Sequence, residues 1–334
     1  MKWPFVILTT LLTLPALAGC LPDVEKSFAQ INEAVVPLST WTNDVFKRGS
    51  YRQLLKTRFG LDNHIQGIVR VPGTSTFVLS GGDRYIKEAN LFFINFNTQE
   101  TSSALNKNFK GKNSKDASAA DGFYLKLDIG SKDYWHAGGL AIIDRTLIVP
   151  VENPKTKMSK IIFFDLTDPA HPEKLAVEII RTDSTTGSVL VYQTPEEKIM
   201  VVGNVDGRME FFETQTKDIR DGFTSKKIIV TEVLGQGTDV VRQCDGKLFI
   251  MDFNNTGKFA PIINGKDIVS LYQLDVEKGE ATFITKRHLT SKGYCNFKAA
   301  GSHYVSEDGK LVLYGSSFYR NFSGKQFKLC QFSE

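Results

Sequence analysis

The chain has 334 residues and a formal net charge of +4, from 41 Lys plus Arg against 37 Asp plus Glu. That balance over so large a surface gives no reason to expect a nucleic-acid partner, and the one basic stretch, 107–115, is rich in Asn, Gly and Ser and reads as a solvated loop. Four cysteines (Cys20, Cys244, Cys295 and Cys330) show neither the paired spacing of a zinc site nor a dense disulfide framework, so neither metal nor cofactor is expected.

The first element is a leader. Met1-Lys2 opens an apolar run over 3–17 that ends in Leu17-Ala18-Gly19-Cys20, the form of a secretory signal. These residues resemble the lipobox of bacterial lipoproteins. The resemblance implies that residues 1–19 are removed, that Cys20 becomes the first mature residue, and that acyl chains on it anchor the protein to a membrane. Leu21 resembles the residue found in lipoproteins sorted to the outer membrane of Gram-negative bacteria, on its periplasmic or surface side. Ala16-x-Ala18 also satisfies the ordinary cleavage rule, which would leave Cys20 a bystander. Either route exports the chain. The leader is short and no charged cluster follows it, which argues against a membrane-crossing helix. Lipid on Cys20 would leave three cysteines, either buried thiols or including a Cys295–Cys330 disulfide.

Val24, Phe28, Ile31 and Val35 fall at helical spacing, so residues 23–36 read as a short amphipathic helix that Pro37 ends. Residues 38–49 read as tether or loop, which makes 20–49 a segment of lipid anchor, short helix and tether, and 50–334 the propeller domain. From residue 51 onward the chain consists of short runs rich in Val, Ile, Phe, Tyr and Thr, divided by Gly, Asn, Asp and Pro. These runs recur in sets beginning near His64, His136, Ser188, Asp239 and Asn296, four of them with four strands and the last with three. Asp206-Gly207, Asp245-Gly246 and Asp308-Gly309 read as hairpin turns. An all-β, five-bladed β-propeller follows, with six or seven blades as alternatives, its missing outer strand supplied from before the first set by residues 51–59.

The second set contains Ile161-Ile162-Phe163-Phe164-Asp165-Leu166-Thr167-Asp168-Pro169-Ala170-His171-Pro172. It resembles the repeat of LVIVD-type and WD40-like bacterial propellers, in which an apolar strand leads into an Asp-Pro turn. Asp168 can accept from backbone two residues on, while the prolines end the strand ladder. The resemblance covers one blade and implies architecture rather than activity.

In a propeller, the turns before each inner strand and between second and third strands meet at one mouth of the channel. Those turns supply His64, Gln66, Asp83 and Arg84, then Trp135, His136 and Glu152, then Asn204, then Asp239 and Asn254, and finally Tyr319 and Arg320. Asp206 and Asp252 also fall there. His64 and His136 precede equivalent inner strands, where they can satisfy neighbouring blades, ligate a metal or act as acid and base. Trp135 can be an exposed stacking platform or blade packing. With no hydrolase elbow, zinc-protease or phosphate-loop signature, the sequence points to a membrane-tethered, non-enzymatic propeller that binds a small-molecule or sugar ligand, or an envelope protein partner, at its mouth. The alternative is a propeller hydrolase or lyase acting on a sugar or ester, in which mouth carboxylates such as Asp83, Glu152, Asp206 and Asp239 do the chemistry, with or without a metal.

Overall fold

The computed structural model describes residues 19–33, 36–42, 63–83, 87–95, 122–205, 207–233, 237–255, 267–289, 297, 300–316 and 326–334. Strand β1 (Cys20–Leu21), helix α1 (Val24–Gln30) and strand β2 (Val36–Thr42) come first. The apolar runs that follow form five antiparallel blades. Blade 1 is β3 (Asn63–Arg70), β4 (Thr76–Asp83), β5 (Glu88–Asn95) and β6 (Gly122–Asp128). Blade 2 is β7 (His136–Ala137) and β8 (Ala141–Ile143), both paired with β9 (Thr146–Asn153), then β10 (Met158–Asp165) and β11 (Glu173–Arg181). Blade 3 runs β12 (Ser188–Gln193), β13 (Ile199–Val205), β14 (Arg208–Thr214) and β15 (Phe223–Val230). Blade 4 runs β16 (Gly237–Gln243), β17 (Leu248–Asn255), β18 (Asp267–Asp275) and β19 (Glu280–Leu289). Blade 5 runs β20 (Gly301–Val305), β21 (Leu311–Ser316) and β22 (Gln326–Ser333), and β2 completes it.

The inner strands are nearly continuous runs of apolar residues because both their faces are covered, whereas the outer strands β11, β15 and β19 alternate with exposed polar residues. On β9, Leu147, Val149 and Val151 pack toward Val78, Leu91 and Phe93 of blade 1, while Ile148 packs toward Val189 and Val201 of blade 3. Leu190 and Val202 meet Val240, Ile250 and Tyr272 between blades 3 and 4. Val241, Met251 and Phe253 meet Leu313 and Phe332 between blades 4 and 5. Val312, Tyr314 and Leu329 meet Ile68, Phe77 and Phe92 between blades 5 and 1, which closes the circle. Each such side chain contributes about 1.5–3 kcal/mol on burial, so the ring is held mainly by these five seams.

Near the axis the inner strands approach closely enough to share backbone bonds. Gly139 N donates to Gly187 O at 2.8 Å, and Val189 N donates to Gly139 O at 3.2 Å. A Cβ on Gly138 would lie 2.3 Å from Gly187 O, so glycine is required there. Asp245-Gly246 turns as expected, with Gly246 at φ 96°.

The five-bladed all-β architecture agrees with the sequence reading, but the N-terminal segment behaves differently. The strand that completes blade 5 is β2, antiparallel to β22 in the register Trp41↔Phe327 and Pro37↔Cys330. The segment expected to supply it, 51–59, lies outside the described residues. Pro37 does not stop a helix. It sits in an outermost strand beside a register shift between Pro37 and Ser39, where a missing N–H is tolerated. Helix α1 is shorter than 23–36 and is capped by Asp23, whose carboxylate accepts from Lys26 N at 2.9 Å. The 20–49 segment is therefore no free tether as far as it is described, since Leu21, Val24, Phe28 and Ile31 are buried in the blade 4–5 seam. No helix among the described residues is long and apolar enough to cross a membrane.

Candidate functional site

One end of the ring gathers the openings of the inner strands and the far ends of the second strands, because each hairpin pairs them directly. His136 lies opposite Glu152, Ser188 opposite Asn204, and Thr238 opposite Asp252. In blade 1, His64 lies opposite Gly82 and Asn63 opposite Asp83. The mouth is thus lined by rungs that carry polar groups in four blades.

These groups form inter-blade ties. Gln66 Nε2 is 2.9 Å from His136 Nε2, and His136 Nδ1 is 2.9 Å from Glu152 Oε1. An amide nitrogen can only donate, so Nε2 of the imidazole accepts and Nδ1–H donates to the carboxylate. Glu152 Oε2 accepts from Thr186 N of blade 3 at 2.8 Å. Thr186 Oγ1 lies 2.8 Å from Ser159 Oγ and accepts from Arg181 Nη1 at 2.6 Å, while Arg181 Nε donates to Glu210 Oε2 at 2.9 Å. Burial lowers the Arg181 pKa, partly offset by the Glu210 charge. Ser188 Oγ lies 2.6 Å from Thr238 Oγ1 across blades 3 and 4, and Asn204 Nδ2 donates to Ser188 Oγ at 3.4 Å. Asp239 Oδ2 accepts from His303 Nδ1 at 2.7 Å and from His303 N at 3.1 Å, tying blades 4 and 5.

Among the described residues, the buried carboxylates of this end are Glu152 at 6% exposure, Asp239 at 9%, Asp252 at 4% and Asp267 at 2%. The Tyr272 phenol is pushed above its ordinary range, first by burial and then by the charge of Asp252. Glu152 and Asp252 flank the 186–188 segment of blade 3. One accepts from its first backbone N–H, and the other pairs across the rung with Thr238, which bonds Ser188.

Of the residues singled out in the sequence, Gln66, His136, Glu152, Asn204 and Asp239 enter these ties. His64 and Asp83 occupy the expected strand positions, and their side chains lie outside the description. Arg84, Asp206, Tyr319 and Arg320 lie outside the described residues. Asn254 Oδ1 accepts from Asn255 N at 2.8 Å, and Asn255 Nδ2 donates to Asp267 Oδ1 at 2.8 Å, so this pair joins the end of β17 to the start of β18. Trp135 is not an exposed platform. It is 4% exposed, its N donates to Glu152 O at 3.2 Å, and its ring meets His136 edge-on at 5.9 Å. Both His136 nitrogens are engaged, so the metal-ligand reading would require breaking one of those bonds. Arg181, Ser188, Thr238 and His303 were not anticipated; a charged residue closing an outer strand, as Arg181 does after Ile179-Ile180, was the signal available for the first of them.

The chain is a five-bladed β-propeller. No family model matches the chain, and no curated protein matches it. Similar solved structures include a GH62 hydrolase in complex with xylotriose, at 9% identity and TM-score 0.46, covering 82% of this chain and 92% of that one. A thermostable family-43 glycoside hydrolase matches at 9% identity and TM-score 0.42, covering 80% and 88%. A Bombyx mori GH32 β-fructofuranosidase matches at 10% identity and TM-score 0.43, covering 77% and 57%. These are likenesses of fold. The expectation of a non-enzymatic binding propeller is corrected to this extent: the three solved structures named above are glycoside hydrolases or a fructofuranosidase, and what they share with this chain is the fold. The LVIVD-type resemblance finds no family match, although the local turn forms as its residues require, with Ala170 N donating to Asp168 Oδ1 at 3.0 Å.

Proposed function

We propose that this protein is an exported glycan hydrolase whose chemistry takes place at the channel mouth of blades 2 to 4. The observation that carries the reading is the pair of buried carboxylates, Glu152 and Asp252, on either flank of the 186–188 segment. Cleavage of a glycosidic bond needs two such groups, one to protonate the leaving oxygen and one to activate water or attack the sugar carbon. Glu152 accepts from two donors, His136 and Thr186 N, which orients it as the accepting partner of that pair. Asp252 is then the proton-donating partner. Ser188, Asn204 and Thr238, bonded to one another between these carboxylates, make the wall there polar, the chemistry that sugar hydroxyls match. Export is part of the same reading: the leader precedes the fold, and Cys20, Cys244 and Cys330 are all in disulfides, as an oxidising compartment allows.

The test is release of reducing sugar from xylan, arabinan, fructan and aryl-glycoside substrates by the purified protein, with Glu152→Gln and Asp252→Asn as controls. Turnover that falls 100-fold or more in each variant, with the β-sheet circular dichroism unchanged, is the supporting result, on the scale expected for a lost acid or base. No release from any of these glycans, or full activity in both variants, contradicts the assignment.

A further inference from the structure

The Cys20 sulfur is bonded to Cys244, 224 residues away, with the two Cα atoms 5.1 Å apart. A sulfur in a disulfide has no thiol with which to form the thioether of a lipid anchor. The surrounding backbone is built around that bond. Cys20 and Leu21 run parallel to β16, opposite Arg242 and Gln243. Cys244 N donates to Leu21 O at 2.9 Å, and Val24 N donates to Gln243 Oε1 at 3.1 Å. Leu21 is fully buried, and α1 follows at once with Val24 and Phe28 in the blade 4–5 seam. Arg287 of β19 then donates to the carbonyls of Phe28 and Ala29, and Asn32 N donates to Ser333 O at 2.8 Å. The residue that a lipid would use is therefore itself paired into blade 4, with no spacer between it and the buried segment that follows. Gly19, one residue earlier, is exposed, and an added Cβ there would meet nothing within 4 Å.

We infer that Cys20 is a latch rather than a lipid anchor: the leader is removed by hydrolysis of the Ala18–Gly19 bond, the mature chain begins at Gly19, and Cys20 joins Cys244. The Ala16-x-Ala18 pattern meets the small-residue rule for that cut. The step balances with an oxidant of the thiol–disulfide class. The two thiols lose two protons and two electrons, and the oxidant's disulfide is reduced to a dithiol, as happens in exported compartments. The latch ties the start of the chain to the base of β16, while β2 ties the following segment to β22, so the head of the chain grips both blades of one seam.

The full-length precursor, expressed in a Gram-negative host that has both the ordinary and the lipoprotein leader peptidases, tests this. Intact mass and N-terminal sequencing are expected to give Gly19 with no added lipid mass, and a non-reduced digest a peptide linking Cys20 to Cys244. Cys20→Ser is expected to be processed at the same bond and to expose one additional alkylatable thiol, at Cys244. A diacylglycerol adduct on Cys20, or retention of the whole leader in Cys20→Ser, would overturn the inference.

Discussion

Glu152 of blade 2 reaches the backbone of blade 3, its Oε2 accepting from Thr186 N at 2.8 Å, while its Oε1 lies 2.9 Å from His136 Nδ1 in its own blade. One carboxylate thus joins two blades at the mouth, and Gln66 extends the tie to a third through His136. A side chain so placed holds neighbouring blades together, so substituting the groups bonded to it should be felt across the ring.

His136→Ala removes one of the two donors to a carboxylate that is 6% exposed and leaves Gln66 without this partner. The expected cost is about 1–3 kcal/mol, the penalty for stripping a buried polar group of its hydrogen bond. Urea titration followed by tryptophan fluorescence, with Trp135 packed beside His136, reads it as a lower midpoint at unchanged slope.

Gly138→Ala forces a Cβ to 2.3 Å from Gly187 O, and because the Cβ is fixed by its own backbone and the oxygen belongs to backbone, neither can rotate away. Separation of the inner strands of blades 2 and 3 would follow, at a cost on the order of 3 kcal/mol or more. Thermal melting is expected to show a drop of several degrees, whereas Gly246→Asn, in an open turn at φ 96°, should change little.

Opening the N-terminal latch should loosen one seam selectively. Phe28→Ala leaves a void among Val241, Phe249 and Phe332 and is expected to cost about 3–5 kcal/mol. Loss of the Cys20–Cys244 bond through Cys244→Ser is expected to cost about 2–5 kcal/mol. Because both changes act on the same segment, their combined effect should depart from the sum, as a double-mutant cycle would measure.

The Asp165 carboxyl is held below its ordinary pKa, first by the Thr167 hydroxyl at 2.6 Å, then by Thr167 N at 2.8 Å, with Arg220 of blade 3 adding its charge. Burial opposes the shift. A depressed folded-state pKa gives stability that is fully present above the unfolded value of about 3.9 and is lost as the pH falls through the folded value. The group is partly exposed, so the contribution should stay under about 1 kcal/mol. Asp165→Asn is expected to flatten the acid limb of the stability curve below about pH 4 and to leave stability at pH 7 reduced by that amount.

Much of the ring was legible because its signals are local. Gly139 and Gly187 permit close inner strands, Asp245-Gly246 makes a tight turn, and the apolar runs mark blades buried on both faces. The closing strand was misplaced because Val36-Pro37-Leu38-Ser39-Thr40 has a proline and two hydroxyl residues, which reads as tether unless the partner strand is known. Trp135 was open between platform and packing because burial of an aromatic ring is set by the blade beside it, not by its own sequence neighbours. The mouth network was half legible. His136 and Glu152 announce themselves as titratable groups at strand ends, whereas Ser188 and Thr238 gain their meaning only when two blades bring their hydroxyls to 2.6 Å. Cys20 shows a local motif and a distant residue pointing to different chemistry: its neighbours resemble a lipidation site, its sulfur is bonded to Cys244, and nothing near it in the chain points to that partner.

The most direct test of the account is the kcat/KM of wild-type protein and of Glu152→Gln on the best glycan found, both proteins first verified as folded by their melting temperatures. The account predicts measurable glycoside cleavage by the wild type and a loss of at least 100-fold in the variant. Equal rates in the two folded proteins would contradict it.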